Sequence, residues 1–205
     1  MAGSVSLNRG WLTLLLLITL PAVAASVQTE TGRTEANRIE TNPWQRLKSG
    51  GHVLLIRHAA TDPGIGDPPG FDLQNCATQR NLSAAGRADA LQLGIALKQL
   101  GVPVAAVHSS RWCRCLETAK LAFGGAEPWP ALDNTFETPD RRPQQMSAIR
   151  KLLAEPVRSG NLVLVTHGVN ILALTGISPA ESEIVAVRPG SNGGFTVIGR
   201  GTPRH

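Results

Sequence analysis

The chain has 205 residues, 42% of them hydrophobic and 17% charged, with a formal net charge of +5. That apolar content is enough for the core of one ordinary domain and excludes a disordered chain. Aromatic residues make up only 4%, tyrosine is absent and the lysines and arginines are scattered, so a stacking platform for single-stranded nucleic acid is excluded and no nucleic-acid partner is expected.

In chain order, the first ten residues carry one cation, Arg9, and Trp11 to Leu20 is an almost unbroken apolar run. Small residues follow in Pro21-Ala22-Val23-Ala24-Ala25. This layout predicts a secretory signal peptide over residues 1–25, cut after Ala24 or Ala25. The run is shorter than the roughly 20 residues that cross a bilayer, so no stable membrane span is expected after cleavage. No cysteine follows the cleavage region and no arginine pair precedes the apolar run, which predicts general export to the periplasm or medium. Residues 26–42 are polar and read as a flexible lead-in, and residues 43–205 as a single domain.

The domain opens with a strand at Val53 to Ile56 that ends on Arg57-His58. The segment Thr61 to Gly70 is rich in Gly and Pro and reads as a loop shaping a substrate mouth. It lacks a Gly-Lys-Ser/Thr ending, so it is not a nucleotide-binding P-loop. Ser83 is placed to cap a helix running to about Leu100, with Ala84, Ala88, Leu91 and Ile95 at helical spacing and Gly101 as its stop. Val102 to Val107 reads as a second buried strand, closing on Ser109-Ser110-Arg111. A helix from Arg111 to Phe123 ends at Gly124-Gly125. A short strand is expected near Ala131-Leu132, and Pro143 starts a helix to about Glu155. A strand at Leu162 to Val165 leads into Thr166-His167, a short helix covers Val169 to Thr175, and two runs, Ile184 to Val187 and Phe195 to Ile198, form a closing hairpin. Alternating strands and helices predict an α/β fold, a three-layer α/β/α sandwich with a mostly parallel central sheet.

Ligands of such sheets bind outside the carboxyl ends of the strands. Strands ending on Arg-His, Ser-Arg and Thr-His would therefore gather two histidines and two arginines around one crevice, a set suited to a phosphoryl group. Cys76, Cys113 and Cys115 predict one disulfide and one free thiol. Cys113 and Cys115 do not face each other on a helix, so Cys76 pairs with one or the other. Neither Cys-x-x-Cys nor His-Glu-x-x-His occurs, so no metal or other cofactor is expected.

Arg57-His58 after a strand, Arg80-Asn81-Leu82-Ser83 with Gly86, Arg111 with Glu117-Thr118-Ala119, and Thr166-His167-Gly168 resemble the histidine phosphatase superfamily, which includes phosphoglycerate mutases and acid phosphatases. The resemblance implies a phosphoglycerate mutase-like fold and a phosphatase in which His58 is the nucleophile and forms a phosphohistidine. Arg57 and Arg111 would clamp the phosphoryl oxygens and imidazolium His167 would stabilise transition-state charge. Arg80 would line the phosphate pocket or cap the neighbouring helix. Glu137 is the first candidate for the general acid and Asp62 the second. Gly168 stands where the acid-phosphatase branch has Asp, and Ala59 where mutase-like members have Gly, which disfavours a mutase. The expected function is an exported phosphomonoesterase acting on phosphorylated small molecules or envelope glycan. The alternatives are a protein phosphohistidine phosphatase and a phosphate-binding module without turnover.

Overall fold

The computed structural model describes residues 1–3, 43–64, 66–136, 138–190 and 194–203. The expected signal peptide and lead-in, apart from residues 1–3, and the candidate acid Glu137 lie outside the described residues.

A short helix α1 (Pro43–Leu47) leads into β1 (Val53–Arg57). Then follow α2 (Ala84–Gln99), β2 (Val104–Ser109), α3 (Cys113–Phe123) and β3 (Glu127–Pro128). The chain ends with α4 (Arg142–Leu153), β4 (Asn161–Thr166), α5 (Gly168–Thr175), β5 (Ile184–Pro189) and β6 (Phe195–Gly201). The strands form one sheet in the order β3-β2-β4-β1-β5-β6. The first four are mutually parallel, and β5 and β6 add an antiparallel hairpin beside β1.

The continuous apolar runs of β1 and β4 follow from burial on both faces. Leu54 and Ile56 of β1 pack with Leu93 and Leu97 of α2 and Ala119 of α3 on one face. Val53 and Leu55 pack with Ile149 and Leu153 of α4 and Ile171 of α5 on the other. Each such fully buried Leu or Ile contributes roughly 2 kcal/mol through removal of apolar surface from water. Three layers result, as the alternation of strands and helices predicted.

Two elements differ from the sequence expectation. β2 is not a buried strand along its length, because Val104, Ala105 and Ala106 are exposed. Its only outer neighbour, β3, pairs at His108 and Ser109 alone, so the first half of β2 is left uncovered at the edge. The short strand expected near Ala131-Leu132 lies instead at Glu127–Pro128, and Pro130–Leu132 is a turn of 3₁₀ helix. Pro130 fixes φ and has no N–H to give a ladder, so it suits a first helical turn better than a strand.

Local chemistry sets the ends of the helices. The Ser83 hydroxyl accepts from the Gly86 N–H at 3.0 Å and caps α2. A Cβ at Gly86 would run into the Ala60 carbonyl, so glycine there lets the segment after β1 lie against the helix. α3 begins two residues later than expected, at Cys113, which changes what Arg111 can reach.

Candidate active site

The parallel register builds the site. Arg57 of β1 stands opposite Thr166 of β4, so the next residues, His58 and His167, emerge side by side. Their ring centroids are 5.4 Å apart, and the His58 N–H donates to the Thr166 carbonyl at 3.0 Å. β2 delivers Ser110, whose N–H donates to the Val165 carbonyl at 2.9 Å. The Ser110 hydroxyl lies 2.9 Å from His167 Nε2.

His58 is 4% exposed and its Nδ1 lies 2.9 Å from the Ala59 carbonyl. Only a protonated Nδ1 can bond there, which leaves the lone pair of the neutral ring on Nε2. Burial, then the nearby Arg114, Arg57 and Arg80, push the His58 pKa down to about 3. The same desolvation, reinforced by His58 and these arginines, holds His167 well below its ordinary value. Burial thus favours the neutral form of both histidines. The imidazolium expected at His167 requires the charge of a bound phosphoryl group.

Both rings line a crevice of about 360 Å³, together with Arg57, Arg80 and Arg114. Each guanidinium is held from behind. Arg57 Nη1 donates to the Pro179 carbonyl at 3.0 Å, Arg80 Nη1 to the Gly64 carbonyl at 2.7 Å, and Arg114 Nη1 to Asp67 Oδ1 at 2.8 Å. The Nε of all three, and Nδ1 of His167, are buried and have no hydrogen-bond partner among the described residues. A buried donor left unpaired costs about 1–3 kcal/mol, more for a charged group. The three arginine Nε–H groups around one crevice form a cradle that oxygen acceptors of an anion would satisfy. Gly168 and Val169, the first residues of α5, also line it, adding the positive end of a helix. A Cβ on Gly168 would press on Arg57 Cδ at 3.3 Å, so glycine here leaves room for that arginine.

The sequence-predicted residues are thus partly brought together. Arg57, His58, Arg80 and His167 line one crevice. Arg111 does not: its backbone N–H and Nε both donate to Asp133, at 2.9 and 2.8 Å, and it lines a neighbouring cavity. Arg114, 1% exposed, lines the crevice where Arg111 was expected. The reason is helical phase. Arg111 precedes α3, whereas Arg114 lies one turn before Thr118 on the face toward His58. The Thr118 hydroxyl donates to the Arg114 carbonyl at 2.7 Å and accepts from the Ala59 N–H at 3.0 Å. The spacing of four between Arg114 and Thr118 was the signal in the sequence. Arg80 also settles between its two readings, because Ser83 caps α2 while the Arg80 side chain turns to the crevice.

Asp62 is exposed and does not line the crevice. Asn134 and Phe136 do line it, and among the described lining residues there is no Asp or Glu. Sequence reading missed Asp67, on the Gly/Pro-rich loop. It accepts from the Arg80 N–H at 3.0 Å, from Arg114 at 2.8 Å and from Trp112 Nε1 at 2.8 Å. Burial opposes its charge, but the bonds and charge of Arg114 outweigh burial and hold the carboxyl below its ordinary value. Among the described residues no three His, Cys, Asp or Glu side chains converge to hold a metal ion.

Cys76 and Cys113 are joined by a disulfide, and Cys115 is a buried free thiol 3.5 Å from His167 Nε2. Of the two pairings open in the sequence, the structure has the one at the start of α3.

Residues 53–137 match the histidine phosphatase superfamily (branch 1). Over that stretch, less than half of its length, the chain is similar to this superfamily. Three solved structures share its fold. The protein histidine phosphatase SixA, complexed with tungstate, has a TM-score of 0.52 and 19% identity, covering 74% of this chain and 97% of that one. The product of open reading frame Rv3214 from Mycobacterium tuberculosis has a TM-score of 0.53 and 19% identity, covering 72% and 95%. A phosphoserine phosphatase mutant from Entamoeba histolytica, in complex with phosphoserine, has a TM-score of 0.50 and 15% identity, covering 75% and 98%. At these identities the likeness establishes the fold. No curated protein matches the sequence. Within the superfamily match lie Arg57, His58, Arg80 and Arg114, while His167 reaches the site from beyond it through the pairing of β4 with β1.

Proposed function

We propose that this chain is a member of the histidine phosphatase superfamily and a phosphomonoesterase working through a covalent phosphohistidine on His58. The observation that carries the reading is the set of three buried, partnerless arginine Nε–H donors around the crevice that holds a neutral histidine with its lone pair on Nε2. His58 Nε2 attacks phosphorus and the bond to the ester oxygen breaks, its electron pair leaving on that oxygen. Arg57, Arg80, Arg114 and His167 hold the three equatorial oxygens as charge spreads over them. Glu137, three residues beyond the crevice-lining Asn134 and next to Phe136 in the sequence, supplies the proton that the departing oxygen takes. Water then attacks the phosphohistidine, giving its proton to the Glu137 carboxylate, and the N–P bond breaks with its electron pair returning to Nε2, so that His58 is again neutral and Glu137 again an acid.

Hydrolysis of phenyl phosphate in the presence of excess chelator tests this reading. The wild type turns over, and His58→Ala loses turnover by at least about a thousandfold. Equal rates for the two proteins would sink it.

A second reading, a protein phosphohistidine phosphatase, is favoured by one observation: no described carboxylate lines the crevice. A phosphoramidate releases its nitrogen without a strong acid. Under this reading Glu137→Gln leaves phosphohistidine hydrolysis intact, whereas under the first it slows esters with poor leaving groups most.

Export to the periplasm or medium belongs to the same proposal. The residue pattern of 1–25 and the Cys76–Cys113 disulfide support it. Amino-terminal sequencing of protein recovered outside the cytoplasm is expected to start at Ala25 or Ser26.

A further inference from the structure

Beside the catalytic crevice lies a second cavity, of about 610 Å³ against about 360 Å³ for the crevice. Asn134 lines both. Trp112 stands between them: its ring meets His167 edge-on at 5.5 Å and Phe71 at 5.7 Å. Phe71, Leu73, Trp112, Ala131 and Ala148 line the larger cavity.

Its polar groups are unequal in charge. Asp133 is already matched by Arg111. Arg141 also lines the cavity, and no carboxylate of the described residues forms an ion pair with it. Two arginines against one aspartate leave a net positive charge. Gln145 donates through Nε2 to the Pro130 and Asp133 carbonyls, at 3.0 and 3.3 Å, while its Oε1 is buried with no donor among the described residues. Apolar walls that include two aromatic rings, with a cation that no described carboxylate pairs, fit one ligand chemistry: a ring system that carries an anion. A small polyol would leave the walls bare.

We propose that this cavity is the leaving-group subsite, holding the alcohol half of a phosphate monoester built on an apolar ring system with a second anionic group. The assignment rests on the phosphatase reading for its catalytic sense, and the binding chemistry stands apart from it.

Two probes separate these layers. The first is fluorescence titration with 8-anilinonaphthalene-1-sulfonate and with its neutral parent, N-phenyl-1-naphthylamine. The wild type binds the sulfonate at one site. Ala148→Trp, which fills the cavity, weakens both dyes, and Arg141→Ala weakens the sulfonate about tenfold while leaving the neutral parent unchanged. Unaltered sulfonate binding in both variants would overturn the cavity as a site for anionic rings. The second is turnover of 1-naphthyl phosphate against phenyl phosphate. Ala148→Trp lowers kcat/KM for the naphthyl ester about tenfold more than for the phenyl ester. Equal loss on the two esters, or loss on neither, removes the leaving-group assignment. If the wild type hydrolyses neither ester, the phosphatase reading and the leaving-group role fall together, and the dye titration alone decides whether the cavity binds an anionic ring.

Discussion

His58 has its protonation state set before any substrate arrives. Desolvation lowers its pKa from 6.5 to about 3 in the folded chain, so the unfolded chain takes up the proton more readily. Stability is therefore intact above about pH 6.5 and falls with acidification from there to about pH 3, by about 1.4 kcal/mol per unit for this one histidine. Imidazole nitrogen shifts followed by NMR should keep His58 neutral at pH 5, and a titration midpoint near 6.5 would contradict the buried, neutral nucleophile. The two arginines of α3 and its approach make a second contrast. Arg114→Ala should reduce kcat/KM by about a hundredfold or more, since it removes a buried fork facing the phosphoryl group. Arg111→Ala should leave kcat/KM for phenyl phosphate within about threefold, because its guanidinium is bonded to Asp133 outside the crevice. Steady-state kinetics on the two variants decides which arginine the chemistry uses.

At the scale of elements, the site depends on a loop with no regular structure of its own. Asp67 pins that loop to α3 by taking hydrogen bonds from Arg114 and Trp112, and fixes Arg80 through its backbone N–H. The side chains of Asp67 and Arg114 are 0% and 1% exposed, so neither charge is rescued by water if its partner goes. Asp67→Asn should lower unfolding stability by about 3 kcal/mol, as breaking a buried pair does. Urea unfolding of the variant measures this, and a change below about 1 kcal/mol would show that the loop is held by other contacts. None of this was legible in Thr61 to Gly70, where Gly and Pro forbade regular structure but gave no sign of what the aspartate meets. The helices were more readable, because Ser83 and Gly124 carry their capping chemistry locally. Arg111 was misread for the opposite reason: its adjacency to a strand end was visible, but the start of α3 fixes which arginine faces the crevice.

For the whole molecule, the Cys76–Cys113 bridge closes a segment with a sequence separation of 37 that contains Arg80, α2 and β2. Opening a loop of that size releases unfolded-chain entropy worth roughly 4 kcal/mol in the chain-entropy account. Cys76→Ser should therefore lower Tm by roughly 10 °C or more, measured by calorimetry against the wild type in the absence of reductant. An unchanged Tm would mean that Gln79, whose Oε1 accepts from the Cys113 N–H at 3.0 Å, holds the junction unaided. Across the sheet, β1 and β4 are covered by helices on both faces, and the exposed first half of β2 lies where β3 is too short to reach.

The sequence by itself determined the alternation of strands and helices, the placing of two histidines just beyond strand ends, and the presence of one disulfide that includes Cys76. These are local matters of apolar runs, caps and spacing, and they follow from a few neighbouring residues. Tertiary structure alone decided that β1 and β4 lie side by side in the register that brings His58 to His167. It also decided that Arg114 replaces Arg111, that Asp67 anchors two of the arginines, and that a larger cavity opens behind Trp112. Each of these joins residues far apart in the chain, where strand order, helical phase and desolvation settle which groups meet, and no stretch of neighbouring residues records them.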